Sequence, residues 1–242
     1  MESKRRLSLT KSLILICCGI ALAVVACNDE EPPSTEPTVM RGVDPFCNTR
    51  PKIEFCEDFD VESLPGAFDT QTADSGTMTI DSSQSSSLPN SVLVEVDSSE
   101  SAELRHTFDE GGKLRLFGMI YVPELGTGEV KLGSFIVGDY QIGFGVSEDG
   151  GLWAYENDQK YTGDGSIPTG KWASFRWDVN IYGDGTGTAI LRFGNDFIVN
   201  LNELDTPVGS VIPSVMVGLS EATGSWKVYF DNVTVAVQEV VQ

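Results

Sequence analysis

The side chains that could do chemistry in this chain are mostly carboxylates and aromatic rings. Glu57, Asp58 and Asp60 crowd four positions, and Asp231 precedes Asn232 near the far end. Hard cations take such clustered oxygens. If the segments carrying them adjoin, Asp58, Asp60 and Asp231 would hold a structural Ca2+, an optional rather than a required cofactor. In so acidic a chain the same residues also read as ordinary strand-end acids.

Sugar recognition uses aromatic faces, with a few amides and carboxylates for the hydroxyls. Segment 140–156, with Gln141, Trp153 and Tyr155, is the best candidate for that work. With Asp149-Gly150 as a two-residue turn, Trp153 falls opposite Val146 and Tyr155 opposite Phe144, and both rings are core. A three-residue loop flips the parity and brings both rings to the face of Gly145 and Ser147. The sequence leaves both arrangements open. Trp172, Trp177 and Trp226 are assigned to the core or to sheet edges.

Other catalytic routes are thin. The one histidine, His106, follows Arg105 directly and so points to the opposite face of a strand. No Gly-x-Ser-x-Gly elbow and no Cys–His pair supplies a nucleophile. Whether the protein is an enzyme stays open, with the balance against it, and no catalytic residue is assigned.

The elements that must position these groups are short strands. Ser91–Asp97, Leu114–Val122, Ser134–Val137, Tyr140–Val146, Trp172–Ile181, Thr188–Phe193, Phe197–Leu201 and Trp226–Val237 are rich in β-branched and aromatic residues. Asp109-Glu-Gly-Gly, Glu148-Asp-Gly-Gly, Gly163-Asp-Gly-Ser, Gly183-Asp-Gly-Thr and Gly194-Asn-Asp read as turns between them. No segment sustains helical periodicity over three turns. Such a pattern predicts an all-β sandwich or barrel over residues 53–238. The 242 residues carry 16 Lys+Arg against 36 Asp+Glu, a formal charge of −20, which excludes nucleic acid as a partner.

The N-terminal segment has its own logic. Lys4, Arg5, Arg6 and Lys11 precede an uncharged apolar run from Leu13 to Ala26, too short for a permanent membrane span and suited to a secretory signal. Val24-Val25-Ala26-Cys27 resembles the lipobox of bacterial lipoproteins. That resemblance implies cleavage after residue 26, lipidation of Cys27, palmitate included, and a membrane partner reached through the acyl chains. Residues 27–52, rich in Asp, Glu and Pro, read as an extended tether. Loss of residues 1–26 leaves 12 basic and 35 acidic residues, a net charge of −23. Cys17 and Cys18 leave with the signal, so Cys47 and Cys56 are predicted to pair in an oxidising compartment.

Three patterns then point to a family. The domain opens with Phe55-Cys-Glu-Asp-Phe59, carries Gly170-Lys-Trp-Ala-Ser-Phe-Arg-Trp-Asp-Val179, and closes with Val228-Tyr-Phe-Asp-Asn-Val-Thr-Val235. Together they resemble the concanavalin A-like lectin/glucanase jelly roll, a group that includes laminin-G-like and polysaccharide-lyase-like domains. The resemblance implies two antiparallel sheets of six or seven strands, first and last strands close together, and a concave face that often binds glycans. The glucanase branch places Glu, an apolar residue, Asp and a further Glu on one strand. Glu203-Leu-Asp205 is followed instead by Thr206-Pro207, and Glu156-Asn-Asp158 by Gln159-Lys160, so both read as solvated strand ends. The alginate-lyase-like branch uses an Arg-containing strand, a Gln-apolar-His strand and a late Tyr. Ala102-Glu103-Leu104-Arg105 resembles the first, while Tyr140-Gln141-Ile142-Gly143 has the Gln but Gly in place of His.

What remains is a binding surface, with Glu103, Arg105, Gln141, Trp153 and Tyr155 as candidate ligand residues. The sequence reads as a monomeric, lipid-anchored cell-envelope protein whose jelly roll binds extracellular or cell-wall polysaccharide. A structural lipoprotein with a protein partner, or a polysaccharide lyase or glycosidase with unfamiliar catalytic residues, are the alternatives.

Overall fold

The computed structural model describes residues 46–50, 53–209 and 212–238. Cys27, the signal segment 1–26 and most of the 27–52 tether lie outside the described residues. Among the described residues no helix is long and apolar enough to cross a membrane.

Alternation of apolar and polar side chains builds two antiparallel sheets that face each other across one core. The eight-stranded sheet runs β13 (Asp196–Val208), β12 (Asp184–Phe193), β11 (Trp172–Ile181), β6 (Lys113–Tyr121), β15 (Trp226–Gln238), β4 (Ser91–Val96) and β3 (Thr77–Asp81). Its eighth strand, β1 (Phe55–Glu57), pairs with the end of β15, so the first and last strands adjoin. The seven-stranded sheet runs β10 (Gln159–Ser166), β9 (Gly151–Glu156), β8 (Tyr140–Ser147), β7 (Glu129–Val137), β14 (Ser214–Ser220), β5 (Ser101–Thr107) and β2 (Thr70–Asp74). The fold is an all-β jelly roll with sheets of eight and seven strands, slightly larger than the sequence predicts.

Strand β6 shows the pattern clearly. Leu114, Leu116 and Ile120 point inward and are buried, while Arg115, Phe117 and Met119 between them are half-exposed. Opposite them, Phe144 of β8 packs 5.3 Å from Phe175 and 6.2 Å from Trp177 of β11, ring centre to ring centre. Each such side chain contributes about 1.5–3 kcal/mol on leaving water, so this cluster fixes how the sheets stack.

Gly163-Asp-Gly-Ser is not a turn but part of β10. Ile198 of β13 crosses there, and a Cβ on Gly163 or Gly165 would lie 2.5 or 2.3 Å from its side chain. The glycines serve close approach of two strands rather than chain reversal.

Cys47 and Cys56 form the predicted disulfide, with their Cα atoms 5.6 Å apart. It ties a 3-10 turn, Phe46–Thr49, to β1, so the last residues of the segment read as tether are fastened to the sandwich. Closing a loop over a sequence separation of 9 removes unfolded-state entropy equivalent to about 2–3 kcal/mol. Replacing both cysteines by serine should lower the unfolding free energy in urea by that amount without changing the far-ultraviolet spectrum.

Candidate functional site

The loop joining β8 to β9 decides the site. Val146 pairs with Leu152, Gly145 with Trp153 and Gly143 with Tyr155. Gly150, at φ +83°, donates its N–H to the Ser147 carbonyl at 2.8 Å and closes a three-residue loop, Glu148–Gly150. Of the two parities that the sequence leaves open, this is the one that turns Trp153 and Tyr155 away from the core, onto the outer face of the seven-stranded sheet.

The rings are nevertheless buried, Trp153 at 6% exposure and Tyr155 at 2%. Gly145 and Gly143 provide the floor: a Cβ on Gly145 would stand 2.4 Å from the Trp153 ring, and one on Gly143 2.6 Å from the Tyr155 hydroxyl. Two ammonium groups form the roof. Lys131 Nζ lies 4.2 Å from the centre of the Tyr155 ring and Lys160 Nζ 4.6 Å from that of Trp153, close enough for cation–π attraction. Lys131 also pairs with Glu221, and Lys160 with Glu129. Burial pushes the Tyr155 hydroxyl well above the ordinary tyrosine range, with neighbouring Ser134 opposing the shift. Tyr155 therefore keeps its proton and is suited to hydrogen bonding rather than to acting as a base.

Glu103, Arg105 and Gln141 come to the same face. Arg105 and Glu103 pair at 3.0 Å on β5, and Gln141 of β8 donates to Ser134 Oγ at 3.2 Å. They line an open groove of about 500 Å³ with Ile136, Ser220 and Glu221. Four strand spacings separate β9 from β5, roughly 19 Å at the usual 4.7–4.9 Å. All five predicted ligand residues thus share one face, as an aromatic end and an ion-paired end. Sequence reading missed Lys131 and Lys160, which come close to the two rings only through strand pairing.

His106 lies on the other face of β5, stacked 4.5 Å from Phe55 and bonded through Nδ1 to Asp69 at 3.0 Å. Glu203 and Asp205 are exposed as predicted, though inside β13 rather than at a strand end, and Asp158 is exposed just past β9, but Glu156 is buried. Its carboxylate accepts from the Tyr140 hydroxyl at 3.0 Å, the Tyr161 hydroxyl at 3.0 Å and the Asp205 N–H at 2.8 Å. Burial, and then the Glu156 charge, push the Tyr140 hydroxyl upward. Glu156, on β9, is a clasp to β8, β10 and β13, not the solvated strand end that its neighbours suggest.

The acidic residues near the chain ends do come together, because β1 pairs with β15. Their oxygens face backbone amides: Asp58 accepts from Cys47 N at 3.1 Å, Asp60 from Asn90 N at 3.2 Å, and Asp231 from Ser86 N and Ser87 N at 2.7 and 2.8 Å. Among the described residues no three His, Cys, Asp or Glu side chains converge as a metal ion would need. Backbone amides thus take part of the acceptor capacity of these carboxylates.

No known family pattern and no curated protein matches the chain. Solved structures do. Cellulose induced protein Cip1 superposes with a TM-score of 0.62 at 16% identity, covering 77% of this chain and 99% of that one. An endo-beta-1,4-glucuronan lyase from the fungus Trichoderma reesei gives 0.60 at 14% identity, with 77% and 96% covered. The marine PL-14 alginate lyase from Aplysia kurodai gives 0.59 at 12% identity, with 77% and 99% covered. Likenesses at such low identity establish the architecture alone, and that architecture is a jelly roll consistent with the concanavalin A-like group.

Proposed function

We propose that the outer face of the seven-stranded sheet binds an acidic polysaccharide, and that the chain presents this face from a lipid anchor at Cys27 in the cell envelope. The observation that carries the reading is the convergence of Arg105, Lys131 and Lys160 with Gln141, Trp153 and Tyr155 on one face. These are three of only 12 basic residues beyond residue 26. Each cation is held by a carboxylate of the protein, Glu103, Glu221 or Glu129. A uronate carboxylate could exchange for these partners while sugar hydroxyls meet Gln141 at the groove. The glucuronan and alginate lyases that share the fold act on polymers of that charge, and the disulfide suits an exported protein.

Binding rather than elimination is proposed because Gly143 stands where the lyase-like Gln-apolar-His strand would carry its histidine. The test is calorimetric titration with glucuronan and with alginate. Arg105→Ala and Lys131→Ala should each weaken affinity about tenfold, the former with an unchanged melting temperature. Lack of affinity for both polymers, or equal affinity in both variants, rejects the reading. Appearance of unsaturated products in the same mixtures would make the protein a lyase. Intact mass of the mature N-terminus tests the anchor at Cys27.

A further inference from the structure

Three of the four tryptophans are buried, Trp153 at 6%, Trp177 at 0% and Trp226 at 2% exposure. Trp172 is the exception: it is half-exposed at the start of β11, 5.6 Å from the Tyr121 ring. It also lines a cleft of about 780 Å³, well within the range of small-ligand sites. This cleft is not on the face described above. It lies where the end of β10 meets the hairpin between β12 and β13, at one side of the sandwich.

Its lining divides by chemistry. Met119, Phe193 and Ile198 are apolar and half-buried or buried, whereas Asp164, Lys171 and Asp196 are exposed around them. Among the described residues these three charged groups form no ion pair. They are therefore available to a ligand without first breaking a contact. The Gly194 N–H donates to the Ser174 carbonyl at 2.8 Å and holds the hairpin against β11, while Ile198 of β13 packs on Gly163 and Gly165 of β10.

We infer that this cleft is a second carbohydrate site, specific for a neutral pyranose. The apolar C–H face of such a ring would lie on Trp172, and its hydroxyls would donate to Asp164 and Asp196 and accept from Lys171. Two carboxylates against one ammonium, in a chain of net charge −20, repel a uronate, so this site takes a neutral sugar where the sheet face takes an anionic one. The inference stands on its own residues and does not require that the sheet face bind anything.

The test is calorimetric titration of the full chain, in a detergent without a sugar headgroup, with cellohexaose and with mannohexaose. At least one should bind. Trp172→Ala should weaken binding at least tenfold, Trp172→Phe should keep part of it, and Asp164→Asn with Asp196→Asn, both exposed and harmless to folding, should weaken it threefold or more. Arg105→Ala, a truncation of a half-exposed side chain on the sheet face, should leave it unchanged. Absence of binding by both hexasaccharides, or equal binding by the Trp172→Ala variant, overturns the inference. So does a ligand lost in Arg105→Ala and kept in Trp172→Ala, which would belong to the sheet face instead.

Discussion

Raising the pH from 5 to 8 should lower the unfolding free energy by roughly 2–3 kcal/mol through Asp231 alone. A β-bulge places this residue. The β15–β6 register shifts between Asp231 and Thr234, and Asn232 takes φ +54°. Asp231 is left fully buried, accepting from Ser86 N, Ser87 N and Asn232 N at 2.7–2.8 Å. Those donors favour the carboxylate, but burial outweighs them, and the Asp60 charge adds to it, so the pKa rises from 3.8 to about 7. The native protein then holds a proton that the unfolded chain has already released. The stabilisation is complete below the unfolded value near 3.8 and is lost as pH climbs through about 7. Burial raises Glu57 and Asp60 as well, in the same sense. Urea unfolding at intervals from pH 5 to 8 measures the slope. Asp231→Asn should flatten it, and a variant profile parallel to the parent's would refute the assignment.

Gly143→Ala should cost about 2–3 kcal/mol and abolish most affinity of the sheet face for acidic polymers. The added Cβ would lie 2.3 Å from the Gly133 carbonyl oxygen, 2.6 Å from the Tyr155 hydroxyl and 2.7 Å from Ser134 Cβ. The nearest atom is backbone, so the clash cannot be relieved by a rotamer change, and overpacking of this kind costs up to about 3 kcal/mol. For a protein of this size that is a fall of about 5–10 °C in Tm. Tyr155 must also shift, and with it Lys131, which lies against its ring. Calorimetry and titration with glucuronan separate the two effects. Loss of affinity at 15 °C, where the variant remains folded, distinguishes a displaced Tyr155 from a merely weakened fold. Unchanged affinity there would show that the ring pair does not shape the surface.

Much of the architecture was legible because β-sandwich strands advertise themselves. Trp172–Ile181 alternates cleanly and its bounds match β11, and the hydrophobic run 91–96 marks β4. Strands without that signal were missed. All five residues of β2 are exposed, so nothing selects one face over the other, and β10 carries glycines that mimic a turn. Glu156 misled for a related reason: its three donors come from β8, β10 and β13, and only the first two lie near it in the chain.

The sequence by itself determined the all-β class and the Cys47–Cys56 pairing. Those follow from local periodicity and from counting, which need no knowledge of distant neighbours. Tertiary structure alone decided which way Trp153 and Tyr155 point, that two lysines cap them, that the terminal acids turn to backbone amides, and that Trp172 stands open. A single residue of loop length reverses every side chain on a strand, and cross-strand neighbours are set by pairing between segments far apart in the chain. Neither quantity is written in local sequence.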